Sequence, residues 1–213
     1  MSNLAASSKP TRERILDSAL KLFADRGYEA TSIGEIESAA GLVPRSGALY
    51  KHFPSKRALI DAALAERFGA MDSIDARLEL MPQGDLNSEL VFVARLSLGE
   101  LESERDLCRL VMKDGDRFPE LAQSFHTGIV ERGHRIAVAW LRLRAESLGR
   151  ELDDVEALAQ VLTDALVGYV LQHHMFGPNA AAVDRERVIA AWVAIARSQL
   201  QPASESNEPE EER

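Results

Sequence analysis

The chain has 213 residues, one cysteine, 46% hydrophobic and 28% charged residues, and a formal net charge of −9. A single cysteine excludes an intramolecular disulfide and a site built from several thiolates, and the hydrophobic content is sufficient for a folded core. No apolar run approaches the length of a membrane span and the N-terminus has no signal-like apolar stretch. We therefore expect a cytoplasmic protein without a membrane partner.

The charge is distributed unevenly along the chain. Residues 1–60 contain nine Lys and Arg residues and six Asp and Glu residues, a net charge of +3. The rest of the chain contains sixteen Lys and Arg residues and twenty-eight Asp and Glu residues, a net charge of −12. A basic part in an acidic chain is a weak indication that the basic part contacts nucleic acid, and an ordinary solvated surface is the alternative.

Apolar residues at helical spacing and the turn signals between them predict helices almost throughout, and hence an all-α fold. Thr11 can cap a first helix, and Gly27 is a good stop for it. Ser32 and Glu35 then form a Ser-x-x-Glu capping box, in which each side chain bonds the backbone N–H of the other residue. This box predicts a short second helix that ends at Gly41.

A third short helix is predicted from Pro44 to Phe53. Val43 is biased to extended geometry because it precedes a proline, and Pro44 suits the first helical position, where its missing N–H has no consequence. Leu49 and Phe53 would then point inward, and Pro54 would end the helix.

Longer helices follow. Ser55 caps a fourth helix that should extend to about Met81, and the acidic, Pro- and Ser-containing end of the chain, residues 202–213, is expected to be disordered. The remaining predicted helices span about Ser88–Met112, Pro119–Ser147, Asp153–Met175 and Asp184–Leu200.

Two short helices joined by a tight turn after a first helix are typical of a helix-turn-helix unit, whose second short helix enters the DNA major groove. The residue types fit this role. Gly47 and Ala48 are small enough for a close backbone approach, and Arg45 can bind guanine or phosphate. Lys56 and Ser32 each lie at a helix start, where backbone N–H groups favour a phosphate.

Two stretches of the chain, "TRERILDSALKLFADRGYEATSIGEIESAAG" and "GALYKHFPSKRALIDAAL", resemble the DNA-binding domain of the tetracycline-repressor (TetR) family of bacterial transcriptional regulators. The resemblance covers about Thr11–Leu64, and its most specific part is the Leu-Tyr-x-His-Phe-x-x-Lys run. The turn between Gly41 and Tyr50 is about two residues longer than is usual in the family, which leaves the register of its residues against the bases open.

The resemblance implies which residues bind double-stranded DNA. Each of these residues also has an ordinary structural alternative. Tyr50 could be a core aromatic, and Thr31 or His52 could be a cap. Arg45 or Lys56 could simply face solvent. Phosphate contacts position a protein and base contacts specify sequence. The phosphate contacts implied by the resemblance are Thr31, Tyr50, His52 and Lys56, to which the helix start adds Ser32, and the implied base-edge candidates are Arg45, Ser46, Gly47, Ala48 and Lys51.

The resemblance also implies a homodimer formed through the last two helices, so that two recognition helices meet a near-palindromic operator. Intramolecular packing is the alternative for each residue of the apolar stripes on these helices. The candidate interface residues are Leu158, Leu162, Ala165, Tyr169, Ile189, Trp192, Val193 and Ala196.

By the same resemblance, the middle helices enclose a pocket for an unknown small-molecule effector. Plain core is the alternative for each lining residue. We expect neither a metal nor a cofactor, because the adjacent His173 and His174 cannot share a helix face. The candidate lining residues are Phe92, Leu96, Leu110, Met112, Phe125, Trp140, Met175 and Phe176.

The predicted protein is thus a ligand-responsive, sequence-specific regulator of transcription, a repressor released from its operator by a small molecule. It is not expected to be an enzyme, since no nucleophile–base pair is evident. The alternative is an activator, or a regulator that responds to a protein partner. The expected divisions are a disordered segment 1–10, a helix-turn-helix domain 11–56, an effector and dimerisation domain 57–201, and the tail 202–213.

Overall fold

The structure is a computed structural model that describes residues 9–79, 85–177, 179 and 182–201; for residues 67, 68 and 70–79 it describes the backbone alone. The regular secondary structure of these residues is entirely helical, which confirms the predicted fold class. The segments 1–8 and 202–213 and the predicted helix end at Met81 lie outside the described residues.

The helices are named in chain order. They are α1 (Thr11–Arg26), α2 (Ile33–Ala39), a 3₁₀ turn (Leu49–Lys51), α3 (Lys56–Glu79), α4 (Leu86–Ser103), α5 (Arg105–Asp114), α6 (Pro119–Phe125), a π-helical segment (His126–Val130), α7 (Glu131–Ser147), α8 (Val155–Phe176) and α9 (Arg185–Leu200).

Several helix ends follow the signals in the sequence. Gly27, with φ at 93°, ends α1. The predicted cap at Thr11 is wrong, because Thr11 is the first helical residue and Pro10 occupies the cap position. At the start of α2, the Ser32 hydroxyl accepts a hydrogen bond from the N–H of Glu35 at 3.3 Å, and the Glu35 carboxylate accepts one from the N–H of Ser32 at 2.8 Å. The predicted capping box is therefore confirmed. Asp184 caps α9 by accepting from the N–H of Arg187 at 3.0 Å.

Two predicted long helices are interrupted. The helix predicted for 88–112 is two helices, α4 and α5, because Glu104 leaves helical geometry with φ at −87° and ψ at 11°. The helix predicted for 119–147 contains the π-helical turn His126–Val130. Neither interruption coincides with a proline, and hydrophobic periodicity is too coarse to locate a change of one residue in the helical repeat.

The chain packs into two compact units. The first unit contains the described residues up to Ala76 together with Ser103–Glu131, so α5 and α6 share a core with α1, α2 and α3. The buried residues of this core include Ile15, Leu16, Phe23, Ile36, Leu49, Phe53, Leu59, Leu64, Leu107, Leu110 and Leu121. The division at Lys56 remains a prediction from the sequence.

The second unit contains most of α4, α7, α8 and α9 and has a separate core. Trp192 donates its indole N–H to the carbonyl of Leu162 at 2.8 Å, which joins α9 to α8. Arg144 pairs with the buried carboxylate of Glu89 at 2.8 Å, which joins α7 to α4. None of the helices in the described part of the chain has both the length and the apolar character that a membrane crossing requires.

Candidate DNA-binding site

The recognition segment, residues 42–53, is not the α-helix that the sequence predicts. Turns and bends occupy most of residues 42–48, and only Leu49–Lys51 form a single 3₁₀ turn. Arg45 has φ at 59° and Gly47 has φ at 71°, so the backbone enters the left-handed region twice and cannot continue a right-handed helix. Glycine adopts this geometry readily, whereas it is uncommon for arginine. The predicted helix start at Pro44 is therefore wrong.

Hydrogen bonds within the recognition segment hold it in this conformation. The N–H of Ser46 donates to the carbonyl of Val43 at 3.3 Å, and the N–H of Ala48 donates to the hydroxyl of Ser46 at 3.3 Å. The N–H of Tyr50 donates to the carbonyl of Gly47 at 3.1 Å. The segment therefore presents a defined surface even though it is not an α-helix.

Glu37 of α2 anchors the recognition segment to the core, a role that the sequence analysis missed. Its side chain is fully buried, and one carboxylate oxygen accepts a hydrogen bond from the N–H of Leu49 at 3.1 Å. Leu49 is itself fully buried, so this bond satisfies a donor that water cannot reach. A signal was present, because Glu37 lies four residues after Ile33 on the apolar face of α2.

The outer surface of the recognition segment is basic and exposed. Tyr50 is 56% exposed, and Arg45, Lys51 and His52 are exposed as well, whereas Gly47 and Ala48 are half-buried. The sequence contains no acidic residue between Glu37 and Asp61. Neither Arg45 nor Lys51 forms an ion pair with another described residue, so both charges are available to a partner.

The Arg45 side chain lies over the first turn of α2. A Cβ atom placed on Gly34 would be 3.2 Å from Cγ of Arg45, which is closer than an ordinary van der Waals contact. Gly34 therefore leaves room for Arg45. This accounts for a glycine inside a short helix, where it would otherwise weaken the helix by about 1 kcal/mol relative to alanine.

Lys56 occupies the first turn of α3, which Ser55 caps by accepting from the N–H of Ala58 at 3.0 Å. The ammonium nitrogen of Lys56 lies 4.2 Å from the centre of the Tyr28 ring and 5.8 Å from that of Phe23. Partial burial lowers the pKa of Lys56 from its usual value. The charge thus lies on an aromatic surface at the start of a helix, beside the recognition segment in sequence.

The side chains of Thr31 and Ser32 are already used inside the protein. Thr31 is only 1% exposed and donates its hydroxyl to the carbonyl of Gly27 at 2.9 Å. The hydroxyl of Ser32 belongs to the capping box. Of the predicted phosphate contacts, Tyr50, His52 and Lys56 are thus the ones whose side chains are exposed or half-exposed and have no cap to maintain.

The structure separates the predicted dimer residues into two groups. Leu158 and Tyr169 are half-buried and Ala165 is exposed. The same two helices expose Val161 by 63% and Ile195 by 53%. The other predicted residues, Leu162, Ile189, Trp192, Val193 and Ala196, are buried within the second unit.

The predicted effector residues are divided between the units. In the first unit Leu110 is fully buried, Phe125 is half-buried and Met112 is 55% exposed. In the second unit Phe92, Leu96 and Trp140 are half-buried, and Met175 and Phe176 are 54% and 73% exposed. Across the described residues, no three His, Cys, Asp or Glu side chains are grouped as a metal site requires.

A sequence profile described as "Bacterial regulatory proteins, tetR family" matches residues 15–63. A second profile, described as "AefR-like transcriptional repressor, C-terminal domain", matches residues 95–196. The two profiles together cover more than half of the chain, including the recognition segment and most of α4 to α9.

Individual relatives have similar lengths. An uncharacterized HTH-type transcriptional regulator of Bacillus subtilis, YvkB, is 24% identical over 187 residues, which are 88% of this chain and 95% of that protein. A crystal structure assigned to the TetR family from Mesorhizobium loti superposes with a TM-score of 0.70 at 22% identity, covering 89% of this chain and 95% of the other. GusR of Salmonella enterica superposes with a TM-score of 0.63 at 27% identity, and the match covers 90% of this chain and 95% of GusR.

These matches agree with the geometry of the site. An exposed basic segment lies between the short capped helix α2 and the long helix α3, and a second helical unit contains most of α4 and of α7 to α9. YvkB and the Mesorhizobium loti protein are both described as regulators of transcription. The chain therefore belongs to the TetR family of DNA-binding transcriptional regulators.

Proposed function

We propose that the protein is a homodimeric repressor that binds a near-palindromic operator. It leaves the operator when a small molecule binds among the helices that follow α3. The profile matching residues 95–196 is described as that of a transcriptional repressor, which supports the sign of regulation. The proposed DNA-binding surface consists of the exposed residues of the recognition segment together with Lys56.

The observation that carries this proposal is the unpaired positive charge of the recognition segment. DNA is a dense array of phosphate charges, and lysine and arginine side chains that neutralise them displace condensed counterions, which supplies affinity. Arg45 and Lys51 are exposed and have no ion-pair partner among the described residues. The chain as a whole has a net charge of −9, so contact with DNA is favoured at this segment and disfavoured elsewhere.

Dimerisation is proposed through the exposed faces of α8 and α9. Exposed apolar or small residues recur at helical spacing on both helices of the single chain. They are Val161, Ala165 and Gly168 on α8, and Ala191 and Ile195 on α9. Exposed apolar and small residues that are continuous along a helix are typical of a protein–protein interface. Recognition of a near-palindromic operator requires the two recognition segments of a dimer to meet successive major grooves, roughly 34 Å apart.

Release by an effector requires that the ligand prefer a conformation in which this spacing no longer fits DNA. The proposed lining residues in the second unit are Phe92, Leu96 and Trp140, which are half-buried. In the first unit, α5 is tied to α1, because the ammonium group of Lys113 donates to the carbonyls of Ala24 and Asp25 at 3.2 and 2.7 Å. A displacement of α5 would therefore reach the DNA-binding helices directly.

The test begins with selection of an operator from random duplexes by the full-length protein. The expected product is a near-palindromic site, and transcription from a promoter carrying it should fall when the protein is present. Small molecules that raise transcription should also release the protein from the duplex in a binding assay. A rise in transcription on adding the protein would indicate an activator, and failure to select any sequence would contradict operator recognition.

A further inference from the structure

Val43 is an apolar residue exposed within a basic surface. It is 72% exposed and is the first residue of the turn that opens the recognition segment, two positions before Arg45. Single exposed apolar residues are ordinary on protein surfaces and need no explanation by themselves. The position of Val43 and the rigidity of its surroundings distinguish it from such residues.

The backbone holds Val43 in a defined place. The following proline restricts Val43 to extended conformations, and its carbonyl accepts the N–H of Ser46 at 3.3 Å, which closes the turn. Arg45 lies against Gly34, which ties the same turn to α2. A β-branched side chain has few rotamers, so little conformational freedom is lost when it makes a contact.

The chemistry of the major groove restricts what Val43 can contact there. The neighbouring side chains Arg45 and Lys51 are cations suited to phosphates and to polar base edges. An isopropyl group pressed against those polar edges would remove them from water without replacing their hydrogen bonds. The C5-methyl group of thymine is the apolar group that the major groove offers.

We infer that Val43 is a specificity-determining residue that reads thymine through its C5-methyl group. The inference rests on the proposed insertion of the recognition segment into the major groove, and it assigns a base contact to the longer turn. Because the protein acts as a dimer in that proposal, one such thymine is expected in each half-site.

The test uses the operator selected by the full-length protein. Each thymine in a half-site is replaced in turn by deoxyuridine, which removes the methyl group and leaves every hydrogen-bonding group in place. Wild-type affinity should fall about fourfold at one position per half-site, as expected for one buried methyl group. Val43→Ala should bind thymine and deoxyuridine equally at that position, and Val43→Ile should retain the discrimination.

Leu143 provides a matched control, because it is 68% exposed on α7, outside the recognition segment. Leu143→Ala should discriminate thymine from deoxyuridine as the wild type does, and thermal melting checks that all variants fold. The inference is overturned if no thymine is sensitive in the wild type, or if Val43→Ala discriminates as strongly as the wild type. Either result, obtained with a protein that still binds its operator, leaves the proposed function intact.

Discussion

The carboxylate of Asp114 accepts a hydrogen bond from the backbone N–H of Tyr28 at 2.7 Å, across 86 positions of the sequence. Asp114 is 4% exposed, and it ends α5 beside the loop that follows α1. A Cβ atom on Gly27 would lie 3.4 Å from this carboxylate, and Gly27 has a positive φ of 93°, so a larger residue there would be strained. The end of α5 and the loop before α2 thus form one hydrogen-bonded junction.

Asp114→Ala should lower the free energy of unfolding by about 1–3 kcal/mol, because the N–H of Tyr28 would lose its partner in a poorly hydrated place. Asp114→Asn keeps a hydrogen-bond acceptor, so it should lower the free energy of unfolding by less. Chemical denaturation measures both effects. Asp116→Ala is the matched control, since Asp116 is exposed two positions away. Equal losses for Asp114→Ala and Asp116→Ala would show that the junction does not contribute to stability.

Gly34→Ala should separate stability from DNA binding. Alanine favours a helix over glycine by about 1 kcal/mol, so the melting temperature should rise. The new Cβ would displace the exposed Arg45 side chain, which lies 3.2 Å away, so operator affinity should fall severalfold. Both quantities are measured on the full-length protein, by thermal melting and by fluorescence anisotropy.

The control for Gly34→Ala is Gly99→Ala on α4, where a Cβ would meet nothing within 4 Å. That substitution should raise stability and leave operator affinity unchanged. In an Arg45→Ala background, Gly34→Ala should no longer affect affinity. A loss of affinity that persists without Arg45 would show that Gly34 acts in another way.

Ile195→Glu should convert the dimer to a monomer, because it places a charge on the exposed apolar face of α9. Light scattering of the purified protein measures the mass directly. Operator affinity should fall as well, since a monomer engages only one half-site. Leu143→Glu, a comparable change on the exposed surface of α7, should remain dimeric. A dimeric Ile195→Glu protein would place the interface elsewhere.

Cys108 should be unreactive in the folded protein. Burial, together with the nearby charge of Glu104, raises the pKa of the thiol from 9.0 to about 11. The folded protein keeps the thiol proton up to about pH 11, whereas the unfolded chain releases it near pH 9. The contribution of this group to the free energy of unfolding therefore falls as the pH rises from about 9 to about 11. Alkylation by iodoacetamide at pH 9 should be slow when folded and fast in urea. Rapid alkylation of the folded protein would contradict this account.

The sequence predicted the parts of the fold that depend on local signals. The capping box at Ser32 and Glu35 and the stop at Gly27 each depend on residues only a few positions apart, and the structure places those helix ends where the signals do. Proline at a helix start was correctly read at Pro119, which begins α6.

The same signal was misleading at Pro44. The chain there turns through left-handed conformations at Arg45 and Gly47, and the buried Glu37 bonds the N–H of Leu49 from another helix. These features depend on tertiary contacts. The junction between Asp114 and Tyr28 is of the same kind, because no local pattern relates residues 86 positions apart.

Cations at the recognition segment and at the start of α3 are proposed to bind the DNA backbone, and the most direct test of this is operator affinity measured as a function of salt concentration. Lys56→Met removes the charge and keeps an apolar stem against the Phe23 and Tyr28 rings. The plot of log affinity against log salt should become less steep by about two units per dimer, one phosphate contact being lost in each protomer. Arg142 is a cation of the second unit and pairs with Glu156 of the same unit, so Arg142→Ala should leave the slope unchanged. A wild-type affinity that does not depend on salt, or an unchanged slope for Lys56→Met, would contradict the claim.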